Sequence, residues 1–415
     1  MMTRDDLRLT RRRFLEVAGW GAVAAALAAC GLGRASTSQI ASGSALPPPS
    51  GGPISLTPGP SASASPSAAA GLTLRQQIGR MLLVGFRGTT PAEAAATLAD
   101  IRDRELGGVV LFDFDTPTGS PLRNIVSPRQ VSDLVAALRN AAAGRPLIVA
   151  VDEEGDRVAR LDPRHGFPPT LSAAALGARN DPAFTRRYAR QVATTLGQVG
   201  IGLNLAPVAD LNLNPSNPII GALDRSFGAD PRLVVAQAEA FIAGHRDVGI
   251  RTAVKHFPGH GSAAGDTHLG VVDVTTVWKP IELEPFRRLI ADQLTDAVLT
   301  AHVFNATLDP RHPATLSRPI VTGILRSQLG WDGVVISDDL QMGAIRAQYG
   351  YAEAVALAIE AGIDLLTIAN QQLYEEGIVL RTIDLIEGFV RSGRIGPARI
   401  ADSVTRLDRF NAARA

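Results

Sequence analysis

A single cysteine, Cys30, stands in a chain of 415 residues, so no internal disulfide can form and the fold owes nothing to redox state. A marked excess of either charge is lacking too. The whole chain carries a net +1, and its first 29 residues hold five arginines and three acids, which leaves 36 basic and 37 acidic residues behind them. Such a balance provides no basic footprint, and nucleic acid is not an expected partner. Residues 17–29 form an apolar stretch of 13, short of the roughly 20 that a membrane-spanning helix needs. No glycine-rich phosphate fingerprint follows the first apolar run of the folded part, and no internal repeat beyond a β/α alternation is present.

Two segments of the N-terminal part have a distinct composition. Arg11-Arg12-Arg13 before the short apolar core resembles a twin-arginine export signal, and Leu27-Ala28-Ala29-Cys30 resembles a bacterial lipoprotein box. The expectation is cleavage before Cys30, lipidation of that cysteine and anchoring to the outer face of the cell membrane. A plain signal peptide with an incidental cysteine is the alternative. Residues 30–70 are mostly Ser, Pro, Gly and Ala; few of them offset the cost of ordering a backbone, so a flexible tether is expected there.

From residue 71 to 415 the sequence reads as one domain. Eight short apolar runs, at 81–86, 107–112, 146–152, 202–210, 252–257, 297–302, 333–338 and 365–370, alternate with amphipathic stretches such as 128–143, 183–199, 231–248 and 280–293. Eight β-then-α units with branched strands predict a single (β/α)8 barrel of the TIM type. A doubly wound open sheet is the competing architecture. The polar residues favour closure, because Asp152, Asp210, Lys255, His256, His302, Asp338 and Asn370 end many different runs, whereas an open sheet gathers them at one switch point.

Several constellations carry chemistry. Lys255-His256-Phe257-Pro258-Gly259-His260-Gly261 cannot be a helix, since Pro258 lacks an N–H and the glycines favour irregular backbone; its bases are expected on a loop after the run 252–254. Asp266-Thr267-His268 places a carboxylate where it can orient an imidazole and raise its pKa, although a solvated loop pair has the same spacing. The histidines also raise a metal reading, against which the non-helical His-x3-His spacing across Pro-Gly argues. Ser337-Asp338-Asp339 ends the seventh run: one of its acids can face the barrel mouth, or either can cap the next helix. A carboxylate opposite an imidazole acid/base is a pair suited to glycosyl transfer. Asp152-Glu153-Glu154-Gly155-Asp156-Arg157 with Arg160, and Asp224-Arg225, read as sugar-hydroxyl ligands or as surface ion pairs.

These strings, together with Asn204-Leu205-Ala206-Pro207-Val208-Ala209-Asp210 and Pro313-Ala314-Thr315-Leu316-Ser317, resemble the β-N-acetylglucosaminidase branch of the family-3 glycoside hydrolases, from about residue 72 to the C-terminus. The resemblance implies a retaining hydrolysis of terminal β-linked N-acetylglucosamine from cell-wall saccharides. It assigns Asp338 as nucleophile, His268 as acid/base, Asp266 as its partner, and Asp152, Arg160, Arg225, Lys255 and His256 as ligands of the sugar. No cofactor or metal and a monomeric state are expected. The chain departs from the family's usual Asp-Gln-Glu-Gly-Gly-Arg at Glu153 and Asp156, which adds two acids beside Asp152, and the segment 220–225 before Arg225 is longer than the branch usually has. Rival expectations are a β-glucosidase, a phosphorylase in which phosphate replaces water, or a non-catalytic wall-binding lipoprotein.

Overall fold

The computed structural model describes residues 71–412; the expected export signal, Cys30 and the tether lie outside the described residues. Each of the eight apolar runs contains a strand: β1 Leu82–Gly85, β2 Gly108–Val110, β3 Ile148–Val151, β4 Leu203–Asn204, β5 Arg251–Phe257, β6 Ala297–Thr300, β7 Val334–Ile336 and β8 Leu366–Ile368. All neighbouring pairs are parallel, with Leu83 opposite Gly108 and Val109 opposite Val149, and β8 returns to β1 with Leu366 opposite Leu82. The strands are buried on both faces, which is why they read as continuous branched runs rather than alternating ones.

Between β7 and β8 the ladder is reduced to a single bridge, Ile336 opposite Leu365. Side chains complete the seam. Asp364 Oδ2 accepts from Val335 N at 3.1 Å, Ser337 Oγ from Thr367 N at 2.8 Å and Asp339 Oδ1 from Ala369 N at 3.0 Å. The architecture is therefore the expected (β/α)8 barrel, nearly closed by backbone pairing and finished by polar side chains.

Helices cover the outside. Ser127, Asp181 and Asp230 stand before Pro128, Pro182 and Pro231, and their side chains accept from Gln130 N, Phe184 N and Arg232 N. Each supplies an acceptor to the first turn, while proline occupies a position whose N–H has no partner. The stretch 280–293 differs from the single helix expected: Pro280–Leu283 is a 3-10 turn and the α-helix is Glu284–Ala291. Pro285 lacks the N–H that would bond back to residue 281, so a continuous helix cannot pass through it. Ile378–Arg391 is a further helix; its N-cap, Gly377, offers no side-chain acceptor and so left little start signal.

Candidate active site

The polar strand ends converge on the C-terminal mouth of the barrel. Lys255 and His256 lie within β5 rather than on the loop expected for them, because the strand runs on through Phe257 and only then meets Pro258. Lys255 Nζ donates to Asp152 Oδ1 at 2.6 Å and lies 2.7 Å from Glu154 Oε1. Burial alone would lower its pKa, but the charges of Asp152 and Glu154 outweigh burial and raise it. Arg225 grips Glu154 through Nε and Nη2, at 2.7 and 2.8 Å, so the longer segment before it still brings it beside Lys255 and His256. The same Arg225 Nη2 lies 3.3 Å from His256 Nε2, and His256 Nδ1 meets Asp210 Oδ2 at 2.6 Å. Asp210 is fully buried and also accepts from His260 N at 2.8 Å. These groups form a buried network, not the exposed ion pairs that composition alone allowed.

Arg160 stands at the edge of this network, 3.7 Å from Asp113, and its Nε has no hydrogen-bond partner. Glu153 turns elsewhere. Its Oε2 accepts from Arg160 N and Leu161 N, both at 2.9 Å, and it lines a cavity of about 220 Å³ with Tyr188, Val192 and Thr195. Burial pushes its carboxyl up to about 7 despite the two amides. Asp156 is exposed, with its N–H on Thr170 Oγ1. Of the two acids that depart from the family pattern, neither joins the Asp152–Lys255 cluster.

Opposite the network, the loop after β5 carries Asp266 and His268. His268 Nδ1 and N both bond Asp266 Oδ1, at 2.7 and 2.8 Å, and the His268 side chain remains 52% exposed. Burial pulls its pKa down, but the bond to Asp266, the charge of Asp266 and then that of Asp338 overcome this and raise it. The loop is pinned from below: Ala344 N donates to Thr267 O at 3.1 Å and Gln372 Nε2 to His268 O at 3.3 Å.

Asp338 and Asp339 part company, as strand alternation requires. Asp339 is buried, holds Gln341 N and Ala369 N, and is pushed up to about 6 by burial; it caps no helix. Asp338 accepts from Asp339 N at 2.8 Å. Burial acts against its charge, yet the nearby rings of His302, His256 and His268 hold its pKa below the usual carboxylate range. Asp338 is thus held toward its ionised form while the pKa of His268 is raised, and each group acts electrostatically on the other.

The roles of two supporting residues escaped the sequence reading. Asn204 clamps the Glu153 peptide, accepting from its N–H at 3.0 Å and donating to its carbonyl at 2.9 Å, which fixes the backbone between Asp152 and Glu154. Arg123, 2% exposed, ties Phe86 O, Ala369 O and Asn370 O together beneath the mouth and bonds Gln371. Asn204 ends β4 inside the apolar run 202–210; Arg123 lies in a loop with no local signal.

A barrel with a carboxylate facing an Asp-oriented histidine, beside a buried cluster of forked donors and acids, is the layout of a glycoside hydrolase. The profile of the glycosyl hydrolase family 3 N-terminal domain matches residues 73–410, and the chain belongs to that family. A β-hexosaminidase of Stenotrophomonas maltophilia is 37% identical over 350 residues, 79% of this chain and 98% of its own. Among solved structures, a family-3 β-N-acetylglucosaminidase of a Paenibacillus species superposes with a TM-score of 0.73 at 36% identity, covering 83% of this chain and 63% of the other. A β-N-acetylhexosaminidase of Beutenbergia cavernae gives 0.72 at 32% identity, covering 83% and 99%. The protein is a glycoside hydrolase.

Proposed function

We propose that the protein is an exo-acting, retaining β-N-acetylglucosaminidase that removes the non-reducing terminal sugar from peptidoglycan-derived saccharides. The observation that carries this reading is the pairing of ionised Asp338 with His268 held by Asp266. In the first step Asp338 attacks the anomeric carbon, and His268 gives its proton to the departing oxygen as the glycosidic bond breaks. A glycosyl ester on Asp338 results. His268, now neutral, takes a proton from water, which attacks the same carbon and frees Asp338. Asp152, Lys255, Arg225, His256 and Arg160 bind the sugar hydroxyls. The relatives' names as β-hexosaminidases support the N-acetyl sugar, and the export and lipoprotein motifs ending at Cys30 support a site of action outside the membrane.

Hydrolysis of an aryl β-N-acetylglucosaminide beside an aryl β-glucoside, each with and without phosphate, tests it. Selective cleavage of the N-acetyl substrate in phosphate-free buffer is expected. Cleavage of the glucoside alone would reassign the substrate, and acceleration by phosphate with release of a sugar phosphate would make the protein a phosphorylase. Asp338→Asn is expected to lower turnover by roughly 10⁴-fold or more while the melting temperature holds; retained activity would remove Asp338 from its role.

A further inference from the structure

Eleven large apolar side chains are exposed among the described residues, and eight of them lie on loops that follow the C-terminal ends of β2, β3, β5 and β8. The most exposed of all is Leu269, at 86%, immediately after His268. Its neighbours are set by hydrogen bonds. Gln372 Nε2 holds His268 O, so Leu269 and Leu373 flank one bond between the β5 and β8 loops. Gln371 Nε2 holds Phe114 O at 2.6 Å, which brings the β2 loop onto the same wall, and Leu373 and Phe114 are 45% and 40% exposed. The sugar-binding network, by contrast, is drawn from the ends of β3, β4 and β5.

The loops after β2, β5 and β8 thus bring exposed hydrocarbon together beside His268, with the Arg87–Asp115 ion pair and Tyr374 among them, whereas the sugar-binding network is buried charge. An acid that protonates the glycosidic oxygen stands between the sugar that stays and the group that leaves. We propose that Leu269, Leu373 and Phe114 form an apolar platform for the leaving group, and that it selects leaving groups presenting a hydrocarbon face, such as an alkyl-substituted pyranose. This rests on the hydrolase reading above. The mechanism gives the platform no chemical step; it supplies contact area, removed from water only when a leaving group of that kind is bound.

Alkyl β-N-acetylglucosaminides of increasing length test the proposal on the full chain, because methyl, butyl and hexyl alcohols leave with closely similar basicity and differ mainly in hydrocarbon. The kcat/KM is expected to rise with length, by up to about fourfold per methylene where burial is complete. The rise should flatten in Leu269→Ser/Leu373→Ser. Leu373→Ser alone, away from the acid/base, should flatten it in part, and serves if the double variant fails to fold. A wild-type series with no dependence on length, or a dependence that survives in the variants, overturns the platform while leaving the hydrolase reading in place. Absence of hydrolysis across the whole series would instead sink that reading, and the platform with it.

Discussion

Asp266 acts on His268 through two hydrogen bonds and its charge, and the consequence is a specific pH profile. In the proposed role of general acid His268 must carry its proton, so activity falls as pH rises through its pKa. Because that pKa is raised in the folded protein, Asp266→Asn should move the alkaline limb of kcat/KM to lower pH and reduce the maximum, within the 10²–10⁴-fold that a positioned acid contributes. A profile of kcat/KM from acid to alkaline pH checks it; an unmoved limb would show that another group titrates there. Glu153 allows a stability test of opposite chemistry. Its folded pKa of about 7 lies above the usual glutamate value, so its contribution is fully present below about pH 4.3 and lost as pH rises through 7. Glutamine keeps an acceptor for the amides of Arg160 and Leu161 without the buried charge. Glu153→Gln should therefore stabilise the protein at pH 8 relative to wild type, by on the order of 3 kcal/mol, and leave it little changed near pH 4. Denaturant melts at the two pH values decide the matter, and an equal effect at both would mean that the carboxyl does not titrate in that cavity.

In the proposed mechanism the element on which catalysis turns is the loop between β5 and the helix Glu284–Ala291. Two glycines let it lie down. A Cβ on Gly261 would stand 1.7 Å from Leu211 O, and one on Gly343, at the start of the short helix after β7, would stand 2.6 Å from His268 O. Backbone passes directly over backbone at both places, which no side chain permits. Gly343→Ala must push the His268 segment outward. Since misplacement of a catalytic group by about 1 Å can cost 10²-fold, kcat should fall by as much as that, while affinity for free N-acetylglucosamine, for which the proposed ligands come from β3 to β5, should stay near its wild-type value. Titration of the sugar beside steady-state kinetics separates the two. Equal losses in both would mean that the strain spreads into the barrel.

Across the whole molecule, the weak place is the seam between β7 and β8, and one buried residue is central to it. Asp364 is fully buried, accepts from Val335 N, and is 2.6 Å from Arg326, 3.4 Å from Arg399 and 3.5 Å from Arg406. Those arginines belong to the helices Pro319–Gln328 and Pro397–Ala412, so a single carboxylate joins the last strands to two outer helices. Asp364→Ala would leave three cations without it and should cost about 3–5 kcal/mol, read as a drop in the denaturant midpoint. Loss below about 1 kcal/mol would show that the barrel closes without this contact.

Much of this organisation was legible in the chain itself. Eight branched runs fix eight strands because parallel strands in a barrel are buried on both faces, and the acids and histidines at their ends mark the mouth because only there can polar side chains leave the core. The Asp-Thr-His pair was readable because its contact is local. What remained hidden depends on residues far apart in sequence. Lys255 meets Glu154, Arg225 reaches His256, and Gln372 holds His268 only after the barrel has closed. The direction of Glu153 was hidden for the same reason: Arg160 and Leu161 draw its carboxylate away from Asp152 once the short ribbon Glu153–Gly155 with Val158–Ala159 folds back. Residue types at strand ends determined which chemistry the chain carries, while the tertiary structure decided which groups share a proton, a charge or a surface, since those couplings fall off within a few ångströms and no sequence spacing measures them.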